Sequence, residues 1–292
     1  MRTNPIDGML LVDKPAGPTS HDIVAIVRRS LGVRRVGHAG TLDPFATGLL
    51  VLLVGRATRL LPYMDAEPKV YDATVRFGAA TDTDDITGSV ITEAALPDRG
   101  SVERAIAALT GEVLQLPPVY SAKQVGGRRS YAAARGGQPL ALEPVPVRVH
   151  EWRVRAWRDA EVDVTITCAG GTYIRSLARD LGELASSAAH LAALRRVRSG
   201  PFTVAAASTL DDVTAGNAVL LPPIEAVRSL PAQWLADGAL ARVLTGRPVE
   251  AVVAGERAAL VDSDGALVAV AERVGGGDGT AGWHPRLVLR DA

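Results

Sequence analysis

A short apolar run next to a glycine- and proline-rich stretch is the feature that most constrains the fold of this chain. Residues 49–54 are all apolar, and residues 37–48 before them hold three glycines and a proline. Six apolar residues are far too few to cross a bilayer, which takes about 20. The run therefore predicts a buried strand, and the preceding stretch predicts a loop held against it.

Strand and helix patterns alternate along the rest of the chain. Ser20 is predicted to cap a helix that Gly32 ends, and Ser101 to begin a helix that Gly111 closes. Strands are predicted over residues 8–12, 70–77 and 161–168, and a helix over residues 173–185. This alternation favours a mixed α/β fold.

The second half of the chain contains two changes in composition. Residues 117–147 are rich in proline, glycine and arginine, which predicts a long loop, and long loops inside compact domains are usually functional. Pro222, Pro223 and Pro231 predict a linker. A small unit follows, with one helix near residues 236–244 and strands at residues 258–262, 267–271 and 287–289.

Charge and cysteine content narrow the classes of function. The 32 basic and 32 acidic residues balance, so net charge alone does not favour a nucleic-acid partner. Their distribution is uneven, because residues 120–158 hold eight basic and two acidic residues, which fits either a solvated arginine-rich surface or an RNA contact. Cys168 is the only cysteine, which excludes an internal disulfide and fits a reducing cytoplasm. The first residues lack an apolar signal core.

Asp43 is the strongest candidate for chemistry. It lies in the loop of residues 37–48, directly before Pro44 and the apolar run. Such a loop can hold a carboxylate at a fixed angle on a rigid base, as a nucleophile requires. From the residues alone, an aspartate before a proline is more often simply a turn residue. A calcium-binding loop needs an oxygen ligand at its fifth position and a glycine at its sixth. Residues 82–88 do not match this pattern, because Ile86 occupies the fifth position and Gly88 the seventh. We predict instead that this segment is a polar turn near the pocket that contains Asp43.

Six segments resemble, in order, the motifs of the TruB family of pseudouridine synthases. Residues 37–50 resemble the catalytic loop of that family, and Tyr71 resembles its stacking tyrosine. The other matching segments are residues 14–20, 117–122 with the arginine-rich stretch after them, 170–177, and 194–196 with 200–202. The resemblance covers about residues 8–202.

The resemblance implies a fold and its domains. It implies an α/β (α+β) catalytic domain over residues 1–225, with a large, mainly antiparallel mixed sheet and an RNA-binding insertion at about residues 120–150. A small β-rich domain at residues 232–292 is more weakly similar to a PUA-type RNA-binding module.

The resemblance also implies an activity and its residues. The expected reaction converts uridine to pseudouridine at position 55 in the tRNA T loop, without cofactor or metal. Asp43 would be the nucleophile, at C1′ of the ribose or C6 of the base. Arg175 would pair with it, and Tyr173 would relay a proton at C5. Tyr71 would stack on the base, Leu194 would line the pocket and His38 would fill the space that the flipped base leaves.

Further residues are expected to contact the substrate or its phosphates. Lys14 and Pro15 are expected to bind substrate, and the expected RNA contacts are Arg59, Lys123, Arg128, Arg129 and Arg196. The expected partner is the T stem-loop of tRNA, with the enzyme a cytoplasmic monomer that needs no protein partner and no membrane. Two alternatives are a non-catalytic tRNA-binding or folding factor and a guide-RNA-dependent subunit of the dyskerin type. The second is disfavoured because this chain lacks basic tails.

Overall fold

The computed structural model describes residues 6–120, 140–275 and 281–290, with the backbone of residues 124–125 and 128–129. In chain order the strands are β1 (Gly8–Lys14), β2 (Val36–His38), β3 (Thr47–Val54), β4 (Lys69–Phe77), β5 (Ala79–Thr81), β6 (Val90–Glu93), β7 (Gly111–Gln115), β8 (Gln124–Val125), β9 (Arg128–Arg129), β10 (Val145–Arg158), β11 (Glu161–Cys168), β12 (Ala189–Ser199), β13 (Phe202–Thr203), β14 (Ser208–Thr209), β15 (Leu220–Leu221), β16 (Ala232–Trp234), β17 (Val249–Glu250), β18 (Arg257–Val261), β19 (Leu267–Gly275) and β20 (Ala281–Val288).

Five α-helices accompany these strands in the described part of the chain. They are α1 (Ser20–Leu31), α2 (Arg99–Ala108), α3 (Ile174–Leu184), α4 (Leu210–Ala215) and α5 (Asp237–Leu244). Short 3₁₀ segments span Gly55–Tyr63, Val204–Ala206 and Pro223–Val227. None of the helices in the described ranges is long and apolar enough to cross a membrane.

An eleven-stranded mixed sheet forms the frame of the larger unit. Its main path runs β14-β1-β3-β12-β4-β11-β10-β7, and β2, β13 and β15 attach to it. Along this path only β1–β14 and β3–β12 pair in parallel. The prediction of a large, mainly antiparallel mixed sheet is therefore confirmed.

Strand β3 is apolar from Leu49 to Val54 because both of its faces are buried there. Leu50, Leu52 and Val54 pack into the core that includes residues of α1 and α3. Leu49, Val51 and Leu53 point to the opposite face, where they pack with residues of the C-terminal sheet. A strand covered on both faces needs a continuous apolar run rather than alternation, and that explains the run at residues 49–54.

The starts of two helices differ from the prediction. Thr19, not Ser20, caps α1, and its hydroxyl and the Asp22 carboxylate form a capping box. Ser20 is thereby free to hold the loop of Asp43. Asp98, not Ser101, caps α2 by accepting the Ser101 N–H. Gly32 ends α1 in the left-handed conformation, as predicted.

The C-terminal unit contains a five-stranded sheet in the order β16-β18-β19-β20-β17, with α5 beside it. Its own core includes the fully buried Trp283 and Leu260. The strand predicted at residues 287–289 corresponds to β20, which is longer and begins closer to the N-terminus, because it spans Ala281–Val288. The predicted loop of residues 117–147 overlaps a regular element, because β10 begins at Val145 and pairs with β7 and β11.

Candidate active site

The residues predicted for chemistry surround one cavity of about 230 Å³. Asp43, Tyr71, Tyr173, Arg175 and Leu194 all line it. They come from the loop between β2 and β3, from β4, from the start of α3 and from β12. The remaining lining residues are Gly40, Thr41, Leu42, Lys69, Gly171, Thr172 and Ile174.

Asp43 and Arg175 form a bidentate ion pair at this cavity. Arg175 Nε donates to Asp43 Oδ2 at 2.9 Å, and Nη2 donates to Oδ1 at 3.0 Å. The Arg175 side chain is 5% exposed and the Asp43 side chain 33%. A fixed guanidinium that binds both oxygens fixes the plane of the carboxylate, while the partial exposure leaves the carboxylate open to a substrate.

Two backbone carbonyls complete the surroundings of the buried guanidinium. Arg175 Nη1 donates to Thr83 O and Nη2 donates to Tyr120 O, both at 2.9 Å. Asp85 is buried and lies 3.7 Å from Nη1. The polar turn of residues 82–88 therefore lies beside the cavity and holds the arginine.

Three buried side chains fix the loop that carries Asp43. Lys14 Nζ donates to Pro44 O at 3.1 Å and to Ala46 O at 2.7 Å. Ser20 Oγ donates to Leu42 O and accepts the Leu42 N–H. Arg196 donates to the carbonyls of Gly40, Thr41 and Leu49. Carbonyls on both sides of Asp43, and the Leu42 amide before it, are thus held by groups on β1, α1 and β12.

This arrangement corrects two expectations about RNA contacts. Lys14 is 0% exposed and Arg196 is 1% exposed, so neither side chain is open to a phosphate. A buried cation needs acceptors, and the loop carbonyls supply them. Burial lowers the pKa of Lys14 to about 8, although the nearby Asp43 charge opposes this change. Pro15 is exposed, and its carbonyl accepts from Lys14 Nζ.

Gly48 shows how closely this loop approaches β12. Its φ is +99°, and a Cβ at this position would clash with the Arg196 carbonyl oxygen. Both the left-handed conformation and the missing side chain are needed there. The approach sets the parallel pairing of Gly48 with Arg196 and so positions the loop over the cavity.

Tyr173 is the N-cap residue of α3, and its own side chain makes no capping hydrogen bond within the described part of the chain. Gln115, on edge strand β7 and fully buried, takes the place of a cap. Its Oε1 accepts the Tyr173 N–H at 2.8 Å and its Nε2 donates to Tyr173 O at 3.0 Å. Ser176 Oγ adds a hydrogen bond to Leu116 O. Segment 115–116 therefore fixes the turn that carries both Tyr173 and Arg175.

Tyr71 and Leu194 form the apolar part of the cavity wall. Their exposed fractions are 6% and 7%. Burial raises the pKa of the Tyr71 phenol, so the group stays protonated. The two residues lie on neighbouring strands, since Leu194 pairs with Ala73 of β4.

His38 lies on the same segment as Asp43 but does not line the cavity. Its ring is edge-on to His21, with 5.6 Å between centroids. Burial lowers the pKa of His38, which favours the neutral ring. Its buried Nδ1 has no hydrogen-bond partner among the described residues.

The remaining predicted RNA contacts lie away from the cavity or outside the described residues. Arg59 is exposed and donates to Val288 O at 2.9 Å, which ties the larger unit to β20. Lys123 lies outside the described residues, and Arg128 and Arg129 are described only by the backbone of β9. Sequence reasoning missed Gln115 and Lys69. Lys69 could have been noticed, because it precedes Tyr71 by two residues and so shares its face of the strand.

Comparison with known proteins identifies the family. A model described as TruB family pseudouridylate synthase (N terminal domain) matches residues 28–174. A model described as tRNA pseudouridylate synthase B C-terminal domain matches residues 175–253. The two models meet at the first turn of α3, inside the larger unit.

Curated relatives match over almost the whole chain. The tRNA pseudouridine synthase B of Thermobifida fusca (strain YX) is 46% identical over 92% of this chain and 96% of the relative. The protein of the same name from Arthrobacter sp. (strain FB24) is 44% identical over 93% of this chain and 94% of the relative.

Solved structures share the fold. A chain of an H/ACA RNP bound to a substrate RNA containing 2′-deoxyuridine has a TM-score of 0.71 at 23% identity, over 97% of this chain and 85% of that chain. A chain of a Cbf5-Nop10-Gar1 complex has a TM-score of 0.71 at 25% identity, with the same coverage. The predicted fold class is confirmed. The family models and the curated relatives show that the chain belongs to the TruB family of pseudouridine synthases and is an enzyme that isomerises uridine to pseudouridine.

Proposed function

We propose that the enzyme converts uridine 55 in the T loop of tRNA to pseudouridine, with Asp43 as the nucleophile. The names of the curated relatives support tRNA as the substrate. The observation that carries the assignment of Asp43 is its bidentate pair with the buried Arg175 at a cavity lined by two tyrosines. Activity in the cytoplasm, as a monomer without a protein partner, belongs to the same proposal.

The reaction is an isomerisation, and its atoms balance without an external reagent. The N1–C1′ bond breaks and its electron pair goes to the base. The base then turns, C5 bonds to C1′, C5 loses its proton and N1 gains one. Asp43 would attack either C1′ of the ribose, displacing N1, or C6 of the base, adding across the C5–C6 double bond. The bond to Asp43 breaks again when C5 bonds to C1′ in the first route, and when the C5–C6 double bond re-forms in the second, so the carboxylate is released. Both routes need an ionised carboxylate held at a fixed angle. Arg175 and the clamped loop meet that need.

The target base must leave the stack of the T loop to reach a carboxylate inside a cavity. Tyr71 would stack on the extruded base, and Leu194 would cover its edge. Tyr173 would relay the proton from C5. His38 would fill the space that the base vacates, which suits a flat, neutral ring on the same segment as Asp43.

Exposed arginines on β10 would hold the tRNA backbone. Arg153 and Arg155 on β10 have side chains 73% and 42% exposed. Arg155 lies beside the groove that Leu194 also lines. Lys123, Arg128 and Arg129 in the arginine-rich stretch, and a PUA-like C-terminal unit, are proposed to extend the contact. Such contacts position RNA without reading bases.

The direct test uses purified protein and an unmodified tRNA transcript, followed by mapping of pseudouridine at each uridine. The expected product is a single pseudouridine at position 55. Modification elsewhere, or none, would overturn the proposal. Activity on naked tRNA would also exclude a guide-dependent subunit, which requires a second RNA.

A further inference from the structure

A second cation faces the cavity beside the Asp43–Arg175 pair. Lys69 begins β4, and Lys69 and Tyr71 project from the same face of that strand, about 7 Å apart along it. Its Nζ lies 3.1 Å from the position that a Cβ on Gly40 would take, so the amine abuts the loop that carries Asp43. The left-handed Gly40 leaves room for it.

Lys69 differs from the buried cations of the site because nothing in the described part of the chain pairs with it. Arg175 and Arg196 donate to carboxylate or carbonyl oxygens, and Lys14 donates to carbonyls. No hydrogen bond or ion pair involves Lys69 Nζ among the described residues. Glu67, the nearby acid, instead accepts the Gly170 N–H at 2.8 Å.

An unpaired ammonium in a half-buried position is unfavourable unless a ligand supplies the missing acceptor. Arg196 Nη1 also approaches Gly40, at 3.5 Å from the same Cβ position, and adds like-charge repulsion. Burial and this neighbouring charge lower the pKa of Lys69, which makes its N–H groups stronger donors.

We infer that Lys69 is a substrate-contacting catalytic residue whose ammonium stabilises the negative charge that develops on a carbonyl oxygen of the uracil. This inference rests on the proposed function. When the N1–C1′ bond breaks, the electron pair spreads over the ring nitrogens and carbonyl oxygens of the base; attack at C6 places charge on a carbonyl oxygen as well. A base stacked on Tyr71 lies within reach of the four-carbon stem of Lys69. A fixed cation there acts where charge appears.

The alternative acceptor is a phosphate of the same RNA, and salt dependence separates the two. Lys69→Met keeps the length of the stem and removes the charge. At saturating enzyme we expect the single-turnover rate constant to fall roughly 100- to 1000-fold, as for loss of one donor to a developing oxyanion. We expect the Kd for tRNA and its salt dependence to be unchanged.

A phosphate contact would give the opposite pattern. The slope of log Kd against log salt would become shallower by about 0.7–0.9, and the rate at saturation would persist. That outcome, or a variant with wild-type rate and binding, overturns the inference. Arg76→Met is the matched control, because Arg76 lies on β4 but projects from its opposite face, where it pairs with Glu161. It should leave both quantities unchanged.

Lys69→Gln is a second variant that tests the same inference if Lys69→Met fails to fold. Glutamine keeps a neutral donor, so the variant should fold, bind tRNA and react at an intermediate rate. A wild-type rate for Lys69→Gln would overturn the role of the charge. Asp43→Asn separates this inference from the proposed function: an active Asp43→Asn defeats the proposed nucleophile, whereas an inactive Asp43→Asn beside a fully active Lys69→Met defeats only the role of Lys69.

Discussion

At the scale of single residues, Arg175 connects the nucleophile to the rest of the site. Its guanidinium makes two hydrogen bonds to Asp43 and two to backbone carbonyls. Arg175→Lys keeps the positive charge but removes the planar guanidinium, whose several N–H groups reach all four acceptors. Loss of one charge-assisted bond, worth about 1.5–3 kcal/mol, should lower the single-turnover rate roughly 10- to 100-fold. A filter-binding assay should show unchanged tRNA affinity, and a fully active Arg175→Lys would show that the planar guanidinium is dispensable.

Because the pKa of Lys14 is lowered, we expect a rise in pH through 8 to increase the free energy of unfolding and to decrease activity. Its pKa is about 8 in the folded protein and 10.5 as a free side chain. Between pH 8 and pH 10.5 the Lys14 side chain is protonated in the unfolded chain but not in the folded chain. The contribution of Lys14 to the free energy of unfolding therefore rises with pH over this range. Below pH 8 the folded protein carries the full cost of burying the charged Lys14 side chain.

Activity should fall over the same rise through pH 8. The ammonium donates to three carbonyls, and a neutral amine would turn a lone pair toward one of them. The loop of Asp43 would then loosen. Urea titrations at pH 7–10 measure how the free energy of unfolding changes with pH, and single-turnover rates over the same range measure how activity changes. Both are measured for the wild type and for Lys14→Met. Identical pH profiles for the two proteins would contradict the assignment.

At the scale of elements, edge strand β7 supports the N-terminus of α3 through Gln115. Gln115→Met keeps the volume but leaves the Tyr173 N–H and carbonyl without these partners. An unsatisfied buried group costs about 1–3 kcal/mol, so the free energy of unfolding should fall by roughly that amount. The rate should fall too, because Tyr173 and Arg175 lie on this turn. Leu114→Met, at an exposed neighbour on β7, is the control and should change neither.

Local sequence patterns predicted which segments form helices and strands, but they predicted less well which of these elements lie next to each other in the fold. The helix ended by Gly32, strands β3, β4 and β11, and helix α3 follow from caps and periodicity within a few residues. The central position of β12, between β3 and β4, does not follow from any local pattern. It depends on pairing between residues more than 100 positions apart, such as Arg196 with Gly48.

The site was predictable only where a motif carried the information. Motif resemblance named Asp43, Tyr71, Tyr173, Arg175 and Leu194, which the structure brings to one cavity. It did not indicate that Lys14 and Arg196 are buried supports of the loop, because burial depends on which strands surround a side chain. Gln115 was missed for a similar reason, since its partner Tyr173 is 58 residues away.

At the scale of the whole molecule, the two sheets share one apolar cluster. Leu60 and Leu53 of the larger unit pack in the same cluster as Leu267 and Leu287 of the C-terminal sheet. We therefore expect one cooperative unfolding transition. Leu60→Ala should lower the free energy of unfolding by about 2–5 kcal/mol and shift both units together.

The four tryptophans make this measurable, with Trp152 and Trp157 on β10 and Trp234 and Trp283 in the C-terminal unit. Variants that keep either pair, with phenylalanine at the other two positions, report on one unit each during urea unfolding. Replacement of the fully buried Trp283 lowers stability by itself, so each background is compared only with its own Leu60→Ala form. Leu60→Ala is expected to shift the midpoint equally in both backgrounds. A midpoint that moves in only one background would show that the shared cluster does not couple the units.

The nucleophile can be tested most directly by single-turnover formation of pseudouridine with Asp43→Asn on an unmodified tRNA transcript. Asparagine preserves the shape of the side chain and can accept a hydrogen bond from Arg175, but it carries no negative charge for attack. The expected result is normal tRNA binding with no detectable pseudouridine at position 55. Substantial product formation by Asp43→Asn would contradict the account.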